Sequence, residues 1–322
     1  MKHKKPKLVC VGETFLTTPA DHHLPMFERY FEVSDFTTET DYDASHTFIY
    51  QTDEALEQVS KYKSKGCRFI ADGLWEKIFL CNTDFDDNTI GLINNGYSDN
   101  SKVLQVPKWF WFEEYFGQKH RKSQVKSLPH EHRKEKDFLM QIGKHKPERE
   151  QLLTSLQESK LLDNSIHSVL FQGKSLEGPV NEYDTYKRIF SQRNYKPEWY
   201  NSTYYTLVVE STWDEIIFIT EKTWKPIMYG HPFMIFGNPG TLAQLESWGF
   251  ITFDNMFDQE YDSISDWQTR LVYIIDQVKQ FNSQNCIKAI QHNFDRFWNN
   301  ELVEKLIKEE LIDPILAFVL KS

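Results

Sequence analysis

The stretch between residues 207 and 237 limits the fold of this chain more than any other part of its sequence. Two short apolar runs, Leu207–Val209 and Phe233–Phe236, flank a polar segment. Apolar runs of this length, bounded by Gly, Pro and polar residues, are typical of parallel strands that are covered on both faces. Thr220 is a candidate helix N-cap, and Glu221 would follow it at the positive end of the helix dipole. The stretch therefore predicts a strand, a loop, a helix and a second strand.

The start of this helix carries groups that bind phosphate and sugar hydroxyls. Lys222 and Lys225 are three residues apart, so a helix would place both ammonium groups on one face. A strand followed by a helix start with carboxylate, hydroxyl and ammonium groups is suited to a ribose and a diphosphate. An exposed helix start with a solvated ion pair is the alternative interpretation of the same residues.

The stretch resembles the nucleotide-sugar-binding motif of the α1,3/4-fucosyltransferase-like glycosyltransferases. Their signature runs from an apolar strand through Glu-Asn-Ser, a short spacer and Val-Thr-Glu-Lys to a helix and a Gly-x-Pro-Val strand. The matching pieces here are Glu210–Ser211, Ile219–Lys222 and Gly230–Phe233, and the Asn of the signature is missing. The match is closest over residues 204–262 and weaker from residue 136 onward.

The resemblance implies a donor site in the C-terminal half of the chain. Lys222 would neutralise the diphosphate, and Glu221 would bind the ribose hydroxyls. Arg149 matches an Arg that contacts phosphate at the start of an Arg-x-x-x-x-x-x-Leu helix, and the planar guanidinium suits bidentate phosphate binding. The other residues expected at the donor site are Glu210, Ser211, Thr220, Lys225 and Lys144.

At 322 residues the chain is long enough for two domains. Apolar runs alternate with helical patterns in both halves, which predicts two α/β units with open sheets. The predicted strands include residues 46–50, residues 67–73 and, after a turn at Trp248–Gly249, residues 250–253. We expect a Rossmann-like acceptor domain at residues 1–120, a linker at 121–136, a nucleotide-sugar domain at 137–285 and terminal helices at 286–322. The resemblance implies a GT-B architecture, in which two Rossmann-like domains face a cleft and the terminal helices pack across the seam.

An inverting sugar transfer needs a general base on the acceptor side, which we expect in the N-terminal unit. The ends of predicted strands offer Glu13 and Asp72 as candidate catalytic residues, and the sequence does not rank them. The acidic segments Asp41–Asp43 and Asp84–Asp87 lack the context of known metal sites. We therefore expect no metal and no cofactor, only a nucleotide-sugar co-substrate.

The composition limits partners and location. The formal net charge of −10 argues against a general affinity for nucleic acid or anionic membranes. The cysteines are scattered without Cys-x-x-Cys spacing, which fits buried thiols in a reducing compartment. No window approaches ~18 uninterrupted apolar residues, the length of a membrane span. We expect a cytoplasmic protein of bacterial or viral origin.

The leading hypothesis is a metal-independent hexosyl- or fucosyltransferase that uses a GDP- or UDP-linked donor and inverts the anomeric centre. Its acceptor would be a glycan or another hydroxyl compound. A first alternative is a transferase that modifies nucleic acid and binds it through the basic segment Lys119–Lys136, which otherwise reads as a solvated connector. A second is a non-catalytic module that binds a glycan or protein through the aromatic block Trp109–Phe116, although aromatic packing at a domain seam is the favoured interpretation of that block.

Overall fold

The computed structural model describes residues 5–12, 14, 24–73, 85–93, 101–118, 122, 127–172, 174–175, 178–179, 197–211 and 217–320. The chain divides into two compact units. The first unit comprises Met1–Lys119 and Asn300–Ser322, and the second comprises His120–Asn299. Each unit has its own parallel sheet.

The first unit contains a six-stranded sheet in the order β2-β1-β3-β4-β5-β6, and every neighbouring pair is parallel. The strands are β1 Lys7–Val11, β2 Glu32–Asp35, β3 His46–Tyr50, β4 Arg68–Gly73, β5 Thr89–Ile93 and β6 Val103–Gln105. One face of the sheet carries an aromatic core, in which the ring of Phe48 stacks on Tyr62 and Phe69 at centroid distances of 5.4 and 5.6 Å. The predicted strands at residues 46–50 and 67–73 are therefore present and central.

Before residue 120, the described part of the first unit contains the helices α1 Leu24–Phe27, α2 Asp53–Val59 and α3 Trp109–Gln118. The Thr52 hydroxyl caps α2 by accepting a hydrogen bond from the Ala55 N–H at 3.2 Å. A 3₁₀ turn, Ser60–Lys65, continues this helix and ends at Gly66. The φ of Gly66 is 79°, the left-handed conformation that stops a helix and favours glycine.

The second unit contains a four-stranded parallel sheet in the order β12-β11-β7-β8. The strands of this sheet are β7 Lys136–Ile142, β8 Ser165–Val169, β11 Thr203–Val209 and β12 Phe233–Phe236. Two further strands, β9 Lys174–Ser175 and β10 Gly178–Pro179, form a separate antiparallel pair. β11 and β12 are the two strands predicted from the opening stretch. The two parallel sheets confirm the predicted α/β class with two Rossmann-like units.

Among its described residues, the second unit contains the helices α4 Pro147–Glu158, α5 Pro197–Asn201, α6 Glu221–Met228, α7 Thr241–Ser247, α8 Trp267–Lys279 and α9 Ile287–Phe297. Short 3₁₀ turns occur at Pro129–Glu131, Leu161–Asn164, Leu170–Gln172 and Glu260–Ser263. The strand expected after Gly249 is wrong, because residues 250–253 join no ladder. The Asn293 side chain of α9 instead bonds both backbone groups of Ile251 at 2.8 Å, where a neighbouring strand would otherwise bind.

The chain then returns to the first unit through α10 Asn300–Ile307, a π-helical turn Lys308–Ile312 and α11 Asp313–Val319. The Tyr115 hydroxyl of α3 donates to Asn300 Oδ1 at 2.7 Å. Val303, Ile312 and Ile315 are fully buried. The last three helical segments are therefore part of the core of the first unit.

In each parallel sheet, the direction in which the chain adds new strands reverses once. In the first, the chain runs from β1 outward to β2 and then crosses to β3 on the other side of β1. In the second, it runs from β7 to β8 and then crosses to β11. Ligands of open α/β sheets bind outside the carboxyl ends of the strands at such switch points. Among the described residues, no helix is both long and apolar enough to cross a membrane.

Candidate functional site

The carboxyl ends of β7 and β11, at the switch point of the second sheet, bring together most of the predicted donor-site residues. Lys144 follows β7, Glu210 and Ser211 follow β11, and Arg149 lies in the first turn of α4. The helix α6 begins with Glu221, directly after Thr220. The structure thus assembles at one sheet edge residues that are more than sixty positions apart in the chain.

Arg149 holds the two strand ends together. Its guanidinium donates through Nη1 to the Lys144 carbonyl at 3.0 Å and through Nη2 to the carbonyls of Val209 and Glu210 at 3.3 and 2.7 Å. The side chain is only 2% exposed. Burial lowers the pKa of Arg149, and the negative charges of Glu210 and other nearby carboxylates oppose that effect. The Nε atom is buried and has no hydrogen-bond partner among the described residues.

The Glu210 carboxylate fixes the start of α6. One oxygen accepts from the Thr220 N–H at 3.0 Å and from the Thr223 hydroxyl at 2.7 Å, and the other accepts from the Thr220 hydroxyl at 2.6 Å. Glu210 is 1% exposed. Three hydrogen bonds satisfy a buried carboxylate that would otherwise be costly. Glu210 therefore links the end of β11 to the first turn of α6.

The Thr220 hydroxyl connects this carboxylate to the surface of the site. It accepts the helix-capping bond from the Lys222 N–H at 3.4 Å and a second bond from Lys222 Nζ at 3.1 Å. Thr220 is thus the helix N-cap that the sequence predicts. The Lys222 ammonium also pairs with the Glu221 carboxylate at 2.7 Å. About a fifth of each of these two side chains is exposed, so the pair is only partly solvated.

The charges at the start of α6 are strongly coupled. Burial of the Glu221 carboxylate raises its pKa, but the Lys222 and Lys225 ammonium groups outweigh that effect and bring the pKa to about 2. Glu221 is therefore ionised at neutral pH. Lys225, four residues after Glu221, and Ser211, directly after Glu210, are half-buried, and Lys144 is exposed. The exposed part of the site thus offers one carboxylate and several ammonium groups.

The end of β12 packs against the same carboxylate. A Cβ atom on Gly237 would lie 3.2 Å from Glu210 Cβ, so the lack of a side chain lets the two strand ends approach closely. The guanidinium of Arg270, which is also buried, donates to the carbonyls of Gly237, Ile264 and Ser265. Arg270 and Thr223 are not among the site residues predicted from the sequence. Thr223 could have been found from its position three residues after Thr220, on the same face of α6.

The candidate base Asp72 is fully buried near the carboxyl end of β4. Strand alternation places it on the face opposite the aromatic core that Phe69 and Ala71 join. The pKa of the Cys10 thiol is raised to about 11, mainly by burial. The nearby Asp35 and Asp72 carboxylates contribute to this rise, and the hydrogen bond with Thr14 opposes it. Asp72 therefore lies near the end of β1, at the switch point of the first sheet. The other candidate, Glu13, lies outside the described residues.

Several lysines of the segment suggested for nucleic-acid binding are engaged within the second unit. Lys134 Nζ donates to the carbonyls of Pro129, Tyr200 and Asn201, and burial lowers its pKa to about 8. Lys122 donates to the Trp298 carbonyl at 3.2 Å. Lys136 donates to the Asp163 carbonyl at 2.8 Å. Arg133, by contrast, is exposed. These bonds make the ammonium groups part of the unit's own structure.

The aromatic block forms α3, and its rings lie in the interior. Trp109, Phe110, Trp111, Phe112 and Tyr115 are all buried. Rings in this state are not a surface for stacking a sugar or base, which favours the packing interpretation of the block. The side chain of Phe116 lies outside the described residues.

The acidic residues considered as metal ligands have local partners. Asp86 accepts from the Asn88 N–H and the Thr89 hydroxyl at 2.9 and 2.8 Å, and Asp43 accepts from the Ser45 N–H at 2.9 Å. Asp41 pairs with Lys65. Within the described part of the chain, no group of three or more His, Cys, Asp or Glu side chains is arranged to hold a metal ion.

Comparisons with known proteins return solved structures only. No protein-family model matches the chain, and no curated protein matches its sequence. A structure of the DNA-modifying enzyme beta-glucosyltransferase, studied with and without uridine diphosphoglucose, aligns over 98% of this chain and 99% of that one, with 11% identity and a TM-score of 0.47.

Two further structures align less closely. An alpha1,3-fucosyltransferase with GDP-fucose aligns over 94% of this chain and 93% of that one, with 10% identity and a TM-score of 0.42. A variant of S. aureus TarM, in complex with fondaparinux, alpha-GlcNAc-glycerol and UDP, covers 87% of this chain and 56% of that one, with 8% identity and a TM-score of 0.32.

Proposed function

We propose that the chain is a metal-independent glycosyltransferase that moves a sugar, with inversion, from a GDP- or UDP-linked donor to a hydroxyl acceptor. The observation that carries this proposal is the Lys222 ammonium group, held at the start of α6 beside the switch point of a parallel sheet. A cation at a helix N-terminus is suited to a diphosphate. The ionised Glu221 carboxylate next to it is suited to accept hydrogen bonds from ribose hydroxyls.

The reaction breaks the bond between the anomeric carbon and the phosphate oxygen, so negative charge grows on the leaving nucleoside diphosphate. Lys222, assisted by Lys225, would stabilise that charge, as fixed cations do at other transferring groups. The acceptor oxygen forms the new bond to the anomeric carbon and loses its proton to a carboxylate. Asp72 is our candidate for that carboxylate, with Glu13 as the alternative. Ser211 and Lys144 would line the donor pocket.

Nucleotide binding tests the proposal before any acceptor is known. Thermal unfolding of the wild type is measured with GDP, UDP and CMP and with their sugar conjugates, without added metal. We expect one nucleoside diphosphate to raise Tm. At a concentration a hundred times its Kd, it should raise the free energy of unfolding by about 2.7 kcal/mol. Lys222→Ala should lose most of this stabilisation.

The control is Lys279→Ala, which removes a half-exposed lysine that pairs with Asp276 in the same unit. It should keep the full nucleotide effect. If no nucleotide stabilises the wild type, or if Lys222→Ala responds as the wild type does, the proposed function is wrong.

A further inference from the structure

Lys222 is the end point of a hydrogen-bond relay that begins at the buried strand ends. Arg149 donates to the Glu210 carbonyl, and the Glu210 carboxylate accepts a hydrogen bond through the proton of the Thr220 hydroxyl. Because that proton points to Glu210, the lone pairs of the Thr220 oxygen face Lys222, whose Nζ lies 3.1 Å away. The Glu210 carboxylate thus orients the Thr220 hydroxyl, and the oxygen of that hydroxyl accepts from Lys222.

We propose that Glu210, Thr223 and Arg149 are positioning residues, which hold the start of α6 so that Lys222 presents its ammonium group to the leaving diphosphate. This inference rests on the proposed function and deepens it. It gives Glu210 and Arg149 a role other than the donor contact that the resemblance implies.

The burial of these groups supports the distinction. Glu210 and Thr223 are 1% and 0% exposed, and each oxygen of the Glu210 carboxylate already accepts at least one hydrogen bond from within the unit. Arg149 would have to release three backbone carbonyls to reach a phosphate, since both Nη atoms are engaged with them. Its one unsatisfied atom, Nε, is buried as well. Lys222 and Glu221, by contrast, retain exposed surface.

Glu210→Gln replaces one acceptor oxygen by an amide nitrogen that donates, with almost no change in the shape of the side chain. The amide oxygen can still accept from the Thr220 N–H and the Thr223 hydroxyl, so the amide nitrogen faces the Thr220 oxygen. An amide nitrogen only donates, so it competes with Lys222 for the lone pairs of Thr220. We expect Kd for the nucleoside diphosphate that stabilises the wild type to rise about tenfold.

A double-mutant cycle separates positioning from direct contact. If Glu210 acts through Lys222, Glu210→Gln should raise Kd by less than about twofold in a Lys222→Ala background. An equal rise in both backgrounds, or no rise in the wild-type background, would overturn the proposal. Thr241→Val is the matched control, because this buried threonine donates to the Asn238 carbonyl at 2.7 Å at the start of another helix. It should lower stability without changing Kd.

A measurement without ligand keeps this inference distinct from the proposed function. Thr223→Val removes one hydrogen bond from Glu210, so backbone amide exchange over residues 217–224 should accelerate, whereas Thr241→Val should leave that segment unchanged. Unchanged exchange in Thr223→Val would overturn the positioning role even if the wild type binds nucleotide. Accelerated exchange in a protein that binds no nucleotide would support the role of Thr223 in holding the start of α6. It would contradict the proposal that this arrangement serves to bind a diphosphate.

Discussion

His231 shows how a single buried side chain makes the stability of the second unit depend on pH. Its Nε2–H donates to the Thr203 carbonyl at 2.9 Å, and Nδ1 accepts from the Thr206 hydroxyl at 2.8 Å, so the ring is neutral. Burial lowers the pKa of His231 to about 3. The residue thus has a structural role, although it falls within the matched Gly-x-Pro piece of the motif.

The pKa of His231 predicts an acid-sensitive stability. Between about pH 6.5 and pH 3 the unfolded chain binds a proton that the folded chain excludes, so the free energy of unfolding falls as pH falls. From pH 7 to pH 5 this one group should cost about 2 kcal/mol. Urea unfolding at the two pH values measures it, and His231→Gln should be less stable at pH 7 but lose about 2 kcal/mol less on acidification.

His292→Gln is the control for this experiment. Its ring is exposed and bonds to the Gly249 carbonyl at 2.9 Å. The variant should keep the pH dependence of the wild type. If His231→Gln instead keeps that dependence, the buried ring is not its source.

At the level of single residues, the sequence predicts what is encoded locally. The N-cap Thr220 and the acidic first turn of α6 follow from neighbouring residues, and both are confirmed. The contacts of Arg149 with the carbonyls of Val209 and Glu210 span about sixty residues and could not be predicted. The guanidinium matches a phosphate ligand in the motif, but only the register of two distant strands determines its actual partners.

At the level of elements, apolar content decides which strands can be predicted. β3, β4 and β11 are almost continuously buried, and each contains a short apolar run from which the sequence predicts a strand. The edge strand β2, with the sequence Glu-Val-Ser-Asp, has no such pattern, and none of its residues is buried. A strand at the edge of a sheet needs only backbone pairing on one side, so it leaves little trace in the hydrophobic pattern.

The segment before β7 illustrates an element that is held by a half-buried cation. Lys134 donates to carbonyls at the Pro129–Glu131 turn and at the end of α5. Cations are favourable at the C-terminal ends of helices, where carbonyls lack partners. Lys134→Met keeps the aliphatic stem and removes the donor, so we expect a loss of about 1–3 kcal/mol in the free energy of unfolding.

Arg133→Ala is the matched control for Lys134→Met, because it removes the adjacent but exposed cation. Its effect on stability should stay within about 0.5 kcal/mol. Denaturant unfolding of both variants provides the comparison. Equal stabilities would mean that the carbonyls of Tyr200 and Asn201 find other partners when the ammonium is absent.

At the level of the whole molecule, the two units are joined by a chain that leaves the first unit and later returns to it. The sequence shows helical periodicity from residue 287 onward but does not reveal which unit each helix joins. In the structure α9 lies in the second unit, whereas α10, the π-helical turn and α11 lie in the first. An amphipathic pattern indicates that one face of a helix is buried, but it does not identify the surface against which that face packs.

Because the last helical segments belong to the first unit, we expect a destabilising substitution in them to affect that unit. Ile312 is 0% exposed, and its replacement by Ala should destabilise the first unit by about 2–5 kcal/mol, through lost burial and the cavity left behind. Leu320→Ala, at a residue 64% exposed in the same segment, is the control and should change little.

Hydrogen exchange followed by mass spectrometry separates the two units in this test. In Ile312→Ala, peptides from β1, β3 and β4 should exchange faster, because their unit has lost part of its core. Peptides from β7 and β11 should keep the rate of the wild type, since the residues from 300 onward belong to the first unit. Equal acceleration in both sets of peptides would instead show that the two units unfold as one cooperative body, with the helices after residue 300 stabilising both.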